Sequence, residues 1–214
     1  MAKNKGVALP VIRRLPRYYR FISGLIAAGV DRISSRELSE RMGLTASQIR
    51  QDLNCFGSFG QQGYGYNLQV MRQEIGKILG LNACLKTVLV GAGNMGRAVG
   101  SRMNFADVGF ELVGIFDVSS DIIGQKISAL TVQDAACLES FCIQNQVTAA
   151  IVCVPDENAG EVVRRLVDSG VRNFWNFTHY DILMNYPEHT LAVENVHLND
   201  SLMTLRFLAK NGKV

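Results

Sequence analysis

The stretch that decides the fold of most of this chain is KTVLVGAGNMG, residues 86–96. It is an apolar segment that runs into three glycines, and the next apolar segment ends in Asp117, 21 residues after Gly96. In a strand–loop–helix unit such glycines permit a tight turn, a close approach to a pyrophosphate and tight helix packing. A carboxylate at the end of the second strand accepts hydrogen bonds from ribose hydroxyls and repels a 2′-phosphate. The stretch therefore predicts a site for NADH and NAD+ formed by Gly91, Ala92, Gly93, Asn94, Met95, Gly96 and Asp117.

Strand-like and helix-like segments alternate through residues 81–214, as expected for a mainly parallel, doubly wound sheet of the Rossmann type. The predicted strands are 86–91, 110–117, 148–154, 171–177 and 190–196, and the predicted helices lie near 94–106, 134–145, 156–169 and 197–210.

A different module is indicated by SSRELSERMGLTASQIRQDLN, residues 34–54. Ser34 with Glu37 matches a capping box, and so does Thr45 with Gln48, so each pair marks the start of a helix. Gly43 between them suits a left-handed helix end. Two short helices joined by such a turn predict a helix-turn-helix.

The segments around this motif extend the prediction to a winged helix-turn-helix domain over residues 1–80. An amphipathic helix is expected near 16–29, and a second amphipathic segment spans 68–80. Between them, glycines and aromatic residues alternate over 56–66, which is typical of a short β-hairpin and would form the wing.

Polar side chains on the second helix of the motif can read base edges, because Arg pairs with guanine and Gln or Asn with adenine. Arginines of the first helix can neutralise phosphates. The predicted DNA-contacting residues are Arg13, Arg14, Arg17 and Arg20 of the first helix, Thr45, Ser47, Gln48, Arg50, Gln51 and Asn54 of the second motif helix, and Gln61, Gln62 and Tyr64 of the wing.

The charge distribution agrees with a nucleic-acid-binding N-terminal part. The whole chain has a net charge of +3, but residues 1–80 carry +7 and residues 81–214 carry −4. The five cysteines contain no C-x-x-C pair, no metal-binding pattern is present, and no apolar run is long enough to span a bilayer. We expect a cytoplasmic protein that binds double-stranded DNA and not a membrane.

A dehydrogenase would need a general acid or base beside the nicotinamide. Of the three histidines, His179 follows a predicted strand and so lies at the correct edge of the sheet for this role. We expect no catalytic residue and no enzyme. Two alternatives stay open: an NAD-dependent oxidoreductase with an accessory domain, and a structural DNA-binding protein whose nucleotide stabilises a dimer.

With these motifs the chain resembles the Rex family of bacterial redox-sensing repressors over nearly its whole length. The shared motifs are RLPRYYR at 14–20, QIRQD at 48–52, FGSFGQQGYGY at 56–66, GAGNMG at 91–96, FD at 116–117, VP at 154–155 and NF at 176–177. The resemblance implies that Val154, Pro155, Asn176 and Phe177 join the cofactor site. It also implies a homodimer that exchanges its C-terminal helix, binds palindromic operators and is released from them by NADH, while NAD+ competes and permits binding.

The chain departs from the family pattern at positions that the resemblance connects with coupling between nucleotide and DNA. Met103 stands where a Tyr is usual, His197 where an Asp is usual, and His179 where a Pro is usual. In the family that Tyr and Asp exchange partners with an Arg of the first helix, represented here by Arg14. A paralogue with a weak or altered redox response is therefore an alternative interpretation.

Overall fold

The computed structural model describes residues 7–56, 60–61 and 65–212 of the chain. They form two compact units, Met1–Ala83 and Cys84–Val214. No helix within the described residues is long and apolar enough to cross a membrane.

Within its described residues, the first unit has four helices and a small antiparallel sheet. Its elements are α1 Leu9–Ala27, β1 Arg32–Ile33, α2 Ser35–Met42, α3 Ala46–Asn54, β2 Gly60–Gln61, β3 Gly65–Asn67 and α4 Leu68–Ile78. The sheet has the order β1-β3-β2, and the β2–β3 pair is the predicted hairpin. A helix-turn-helix followed by a hairpin confirms the predicted winged helix.

The local signals for α2 and α3 act as the sequence predicts. Ser34 and Glu37 form the complete reciprocal capping box, and Gly43 ends α2 with a φ of +64°. The Thr45 side chain accepts a hydrogen bond from the Gln48 backbone N–H at the start of α3.

Helix α1 begins earlier than predicted, at Leu9 instead of residue 16. Pro10 stands in the first turn, where a missing N–H costs nothing, and the helix continues through Pro16. The apolar stripe that anchors it extends upstream, since Leu15 and Tyr18 are fully buried together with Ile22. Burial of this stripe offsets the hydrogen bond that Pro16 removes.

A charged group lies inside the core of the first unit. Asp52 of α3 is 2% exposed and receives two hydrogen bonds of 2.7 Å from the Arg14 guanidinium and one of 2.8 Å from the Tyr18 hydroxyl. Burial pushes the pKa of Asp52 upward, but the bonds from Arg14 and Tyr18 outweigh it and the pKa is lowered. Burial raises the pKa of Tyr18, so its hydroxyl keeps the proton that it donates. The three side chains tie α3 to α1.

The second unit is the doubly wound sheet that the alternation predicts. Its elements are β4 Leu85–Val90, α5 Asn94–Arg102, β5 Phe110–Asp117, β6 Lys126–Ile127, β7 Leu130–Asp134, α6 Leu138–Asn145, β8 Ala149–Val152, α7 Asp156–Asp168, β9 Asn173–Asn176, α8 Ile182–Asn185, β10 Ala192–Asn195 and α9 Leu198–Asn211. The strand order is β10-β9-β8-β4-β5-β7-β6, and every pair is parallel except β6–β7. Both faces of β4 are buried, because Val88 and Val90 pack into one core and Leu89 into the other.

Three features of this unit differ from the prediction. The β6–β7 hairpin was not predicted, because its two-residue turn at Ser128 lacks a glycine although Ser128 has a φ of +52°. Helix α5 ends at Arg102, since Met103 is already extended, and a separate 3₁₀ turn follows at Ala106–Val108. Helix α8, a single turn after β9, has too short a pattern to predict.

One face of the sheet is left open next to α5. Helices α7 and α8 pack on the opposite face, where Val163 and Ile182 share a core with Phe174 of β9. The open face forms an apolar groove with a volume of about 520 Å³. The residues that line it include Met103, Phe105, Phe110, Ile151 and Trp175.

The Asp52 cluster generates a stability prediction. Asp52→Ala should lower the free energy of unfolding of the first unit by about 3–5 kcal/mol, because it leaves Arg14 without its carboxylate in a largely buried position. Urea unfolding followed by circular dichroism measures the change. Glu40→Ala, which breaks the exposed Arg36–Glu40 pair, is the control and should cost less than about 1 kcal/mol.

The same cluster should give a specific acid response. The folded-state pKa of Asp52 is lowered, so its stabilising contribution is complete above the unfolded pKa of about 3.9 and is lost as the pH falls through the folded value. Asp52→Asn should be less stable than the unsubstituted protein at neutral pH, and this difference should shrink toward pH 2. An equal difference at both pH values would contradict the proposed role of this carboxylate.

Candidate functional site

The glycine loop between β4 and α5 lies at the carboxyl edge of the sheet. From β4 the strand order extends through β5 on one side and through β8 on the other. Gly91 has a φ of +94°, and a Cβ there would lie 2.5 Å from the Cys153 carbonyl oxygen. A Cβ at residue 96 would lie 1.8 Å from the Gly91 carbonyl oxygen. A Cβ at Gly93 would meet no atom within 4 Å, so the loop is open to a ligand on that side.

Asp117 at the end of β5 holds this loop in place. Its carboxylate accepts a hydrogen bond of 2.6 Å from the Ala92 N–H and one of 2.8 Å from the Ser119 N–H. Each carboxylate oxygen can accept further hydrogen bonds. Gly93, Asn94 and Met95 are exposed beside it at the start of α5, where backbone N–H groups attract anions.

On the other side of the loop, the predicted residues lie at the ends of β8 and β9. Val154 and Pro155 lead from β8 into α7, and Phe177 follows β9 with its ring packed edge-on against Trp175 at 4.7 Å. Together with the glycine loop and Asp117 they line one edge of one sheet.

Asn176 has a different role from the others. It is fully buried, and its amide donates to the Thr178 and Tyr180 carbonyls and to the Asn195 Oδ1 at 2.9 Å, while its Oδ1 accepts from Thr178. Asn176 therefore shapes the loop after β9 and fastens it to β10. No sequence pattern indicates Asn195 as its partner.

Two histidines meet at this end of the sheet. The rings of His179, after β9, and His197, after β10, are stacked with centroids 5.2 Å apart and planes inclined by 19°. Asp156 in the first turn of α7 accepts from the His179 backbone N–H at 2.8 Å and pairs with its Nδ1 at 2.9 Å. The hydrogen bond from the His179 backbone N–H lowers the pKa of Asp156 most, and the bond to the His179 side chain lowers it further. The sequence analysis did not single out Asp156.

The predicted base-reading residues lie along one side of α3. Ile49 and Leu53 are buried with Leu38 and Met42 of α2. The exposed predicted side chains of this region are Thr45, Ser47, Arg50, Gln51 and Asn54, and Gln48 is half-buried. Arg50 donates a hydrogen bond of 3.2 Å to the Ser35 hydroxyl. Gln62 and Tyr64 lie outside the described residues, and Gln61 is described only as part of the backbone of β2.

The four arginines of α1 differ in their exposure and contacts. Arg14 is half-buried and held by Asp52, and Arg17 donates to the Met42 carbonyl at the end of α2 at 2.5 Å. Arg13, Arg17 and Arg20 are exposed. Arg14 and Arg17 thus contact the helix-turn-helix directly, a role that their sequence pattern did not reveal.

Of the predicted coupling residues in the second unit, His179 and His197 are stacked on each other. Met103 stands at the end of α5, 38% exposed, and lines the apolar groove. Arg14 belongs to the core of the first unit.

Comparison with known families matches two models to this chain. Residues 6–54 match a model described as a putative DNA-binding protein N-terminus, and residues 83–180 match a CoA binding domain. Among structures, RSP in complex with β-NAD+ and operator DNA is 46% identical with a TM-score of 0.88, covering 95% of this chain and 94% of that chain. RSP in complex with β-NADH is 43% identical with a TM-score of 0.86, and 97% of each chain is covered.

Curated relatives match along the whole length. A redox-sensing transcriptional repressor Rex from Clostridium perfringens strain SM101 is 47% identical over 214 residues, all of both chains. The Rex of Clostridium acetobutylicum is 48% identical over 208 residues, 97% of this chain and 96% of the relative. With such identity across both units, this chain belongs to the Rex family of redox-sensing transcriptional repressors.

Proposed function

We propose that this protein is a repressor that binds operator DNA as a homodimer and responds to the ratio of NADH to NAD+. The observation that carries the proposal is the bond between Asp117 and the Ala92 N–H, which assembles a dinucleotide cradle in a chain that also has a winged helix. The relatives solved with NADH, NAD+ and operator DNA support it.

The geometry of the cradle sets the direction of the dinucleotide. Ligands of open α/β sheets bind outside the carboxyl ends of the strands, where the strand order reverses. Here that point lies between β4 and β8. The pyrophosphate would lie on the glycine loop and the adenosine ribose on Asp117, so the nicotinamide half would extend over Val154, Pro155 and Phe177.

The DNA side of the proposal rests on α3. A recognition helix contacts base edges in the major groove with its exposed side chains. Arg50, Gln51 and Asn54 are exposed on α3, and their guanidinium and amide groups are suited to bidentate contacts with guanine and adenine. Arg20 on α1 supplies a positive charge for a phosphate.

The dimer rests on two apolar surfaces that this chain leaves uncovered. Helix α9 has no buried residue, and its apolar side chains are 40–64% exposed: Leu198, Leu202, Met203, Leu205, Phe207 and Leu208. At about 100° per residue, Leu202 and Phe207 point in directions about 140° apart around the helix. A helix that is apolar on two sides is normally buried between two surfaces. A second copy of the chain would cover α9 and the open face of the sheet.

A repressor is the family's assigned role, since the curated relatives are named as repressors and not as enzymes. Action on bacterial DNA would place the protein in the cytoplasm.

A repressor with a weak redox response is the second candidate. It is favoured by Met103 in the groove, which offers no hydroxyl, and by Arg14, whose guanidinium is engaged by Asp52.

The nucleotide assignment predicts the effect of Asp117→Ala. Loss of charged hydrogen bonds should weaken NADH binding by about 1–3 kcal/mol and narrow the preference for NADH over NADPH, measured by calorimetry. Glu111→Gln, at the opposite end of the same strand, is the control and should bind NADH normally. Coenzyme A should bind more weakly than NADH, because Asp117 repels a phosphate on the ribose. Equal affinity of the unsubstituted protein for NADH and NADPH would refute the ribose assignment.

Redox control predicts a difference between the two nucleotides on DNA. A palindromic operator is first selected from random duplexes with the protein itself, and its affinity is measured at one salt concentration. Saturating NADH should lower operator affinity by about 5- to 150-fold, the usual range of allosteric coupling, and NAD+ should not. A change below about five-fold would establish the weak-response candidate instead. Arg50→Ala should lose operator affinity and keep nucleotide affinity, whereas Arg164→Ala on α7 should keep both.

The dimer predicts that charge on α9 separates the subunits. The double variant Leu202→Asp with Leu205→Asp should be a monomer in sedimentation equilibrium, because neither carboxylate tolerates burial in an apolar interface. Arg206→Gln, directly after Leu205 on the same helix, should stay a dimer. A dimeric double variant would show that α9 lies outside the interface.

A further inference from the structure

Arg50, an arginine to which we assign base reading, is bonded to the other helix of the helix-turn-helix. Its Nη1 donates a hydrogen bond of 3.2 Å to the hydroxyl of Ser35, the first residue of α2. Arg50 is exposed on α3, whereas Ser35 is half-buried. The tip of the Arg50 side chain is therefore tied to a neighbouring helix although the residue is exposed to solvent.

The hydroxyl of Ser35 is available for this bond because Ser34 caps the helix. The Ser34 hydroxyl accepts a hydrogen bond of 3.1 Å from the Glu37 N–H and donates one of 2.8 Å to the Glu37 carboxylate. These bonds belong to the capping box, and the Ser35 hydroxyl is not part of it. The bond between Ser35 and Arg50 can thus be removed while the cap of α2 is kept.

Tyr66 of β3 gives a second indication of where the Arg50 guanidinium lies. Burial raises the pKa of the Tyr66 phenol, and the positive charge of Arg50 lowers it in part. Tyr66 pairs in the small sheet with Ile33, which precedes Ser35 by two residues. The guanidinium therefore lies near the place where the start of α2 and the small sheet come together.

The bond with Ser35 leaves Arg50 able to read a base. A guanidinium has five N–H donors in one plane, and guanine accepts two parallel ones at O6 and N7. A hydrogen bond from one N–H of Nη1 leaves the parallel donors on Nε and Nη2 for such a contact. A side chain that is already held in one orientation also loses less conformational entropy when it binds.

We propose that Ser35 is the positioning residue for base reading by Arg50, and that its hydroxyl holds the guanidinium in the orientation that binds guanine in operator DNA. This inference rests on the proposed function, which places α3 in the major groove. Ser35 acts on sequence specificity through Arg50 and not through a DNA contact of its own.

The test measures the affinity of the full chain for the selected palindromic operator, and for duplexes changed at each base pair in turn, at one salt concentration. Arg50→Ala identifies the base pair that Arg50 reads, because the preference at this pair is lost. Ser35→Ala should weaken operator binding by about two- to ten-fold, the range for one hydrogen bond, and reduce the preference at the same base pair. In the Arg50→Ala background, Ser35→Ala should change the affinity by less than about two-fold.

Two further variants separate positioning from a general effect on α2. Ser35→Thr keeps the hydroxyl, so it should restore both the affinity and the preference. Ser39→Ala is the matched control, since the Ser39 hydroxyl bonds to the Arg36 carbonyl within α2 at 2.6 Å, and it should leave both unchanged. Circular dichroism of Ser35→Ala should show the same helix content as the unsubstituted protein, because the capping box is kept.

Unchanged or tighter operator binding by Ser35→Ala, with Arg50→Ala still impaired, would overturn the inference. Tighter binding would show that Ser35 holds Arg50 away from the DNA. An equal loss on all duplexes would also overturn it, because a contact with the DNA backbone behaves in that way. If Arg50→Ala keeps its preference at every base pair, the proposed recognition by Arg50 is wrong and this inference fails with it.

Discussion

The close passage of the glycine loop over the end of β4 is the constraint on which the second unit depends. A side chain at residue 96 would place its Cβ 1.8 Å from the Gly91 carbonyl oxygen, and one at residue 91 would meet the Cys153 carbonyl oxygen at 2.5 Å. Only glycines let β4, β8 and α5 converge at one point. Once they converge, the start of α5 and the Asp117 carboxylate face the same space, and Asp117 fixes the loop through the Ala92 N–H.

The first unit depends on an interaction of the opposite kind, a charge that is buried. Asp52 faces inward from the helix that carries Arg50 and Gln51 outward, and Arg14 and Tyr18 of α1 satisfy its carboxylate. A buried carboxylate with directional partners fixes the orientation of a helix more narrowly than apolar contacts do, because any rotation breaks hydrogen bonds that water cannot replace. The hydrogen bonds of Asp52 with Arg14 and Tyr18 therefore determine which side of α3 faces outward.

The edge of the sheet also brings together residues whose roles differ. Asp117 stands at the end of β5, and Asp156, His179 and His197 follow β8, β9 and β10. The first is positioned by backbone N–H groups and holds the loop, while the others hold each other.

The sequence by itself determined what depends on neighbours along the chain. The glycine spacing at 91–96, the capping box at Ser34 and the left-handed end at Gly43 each act within one turn, so their residues suffice to predict a winged helix and a doubly wound sheet. The β6–β7 hairpin was not predicted from the sequence because its turn has no glycine. Only the tertiary structure paired Arg14 with Asp52, 38 residues apart, and His179 with His197. These contacts depend on how α1 packs against α3 and on the register of β9 with β10, and long-range packing leaves no periodic signal in the sequence.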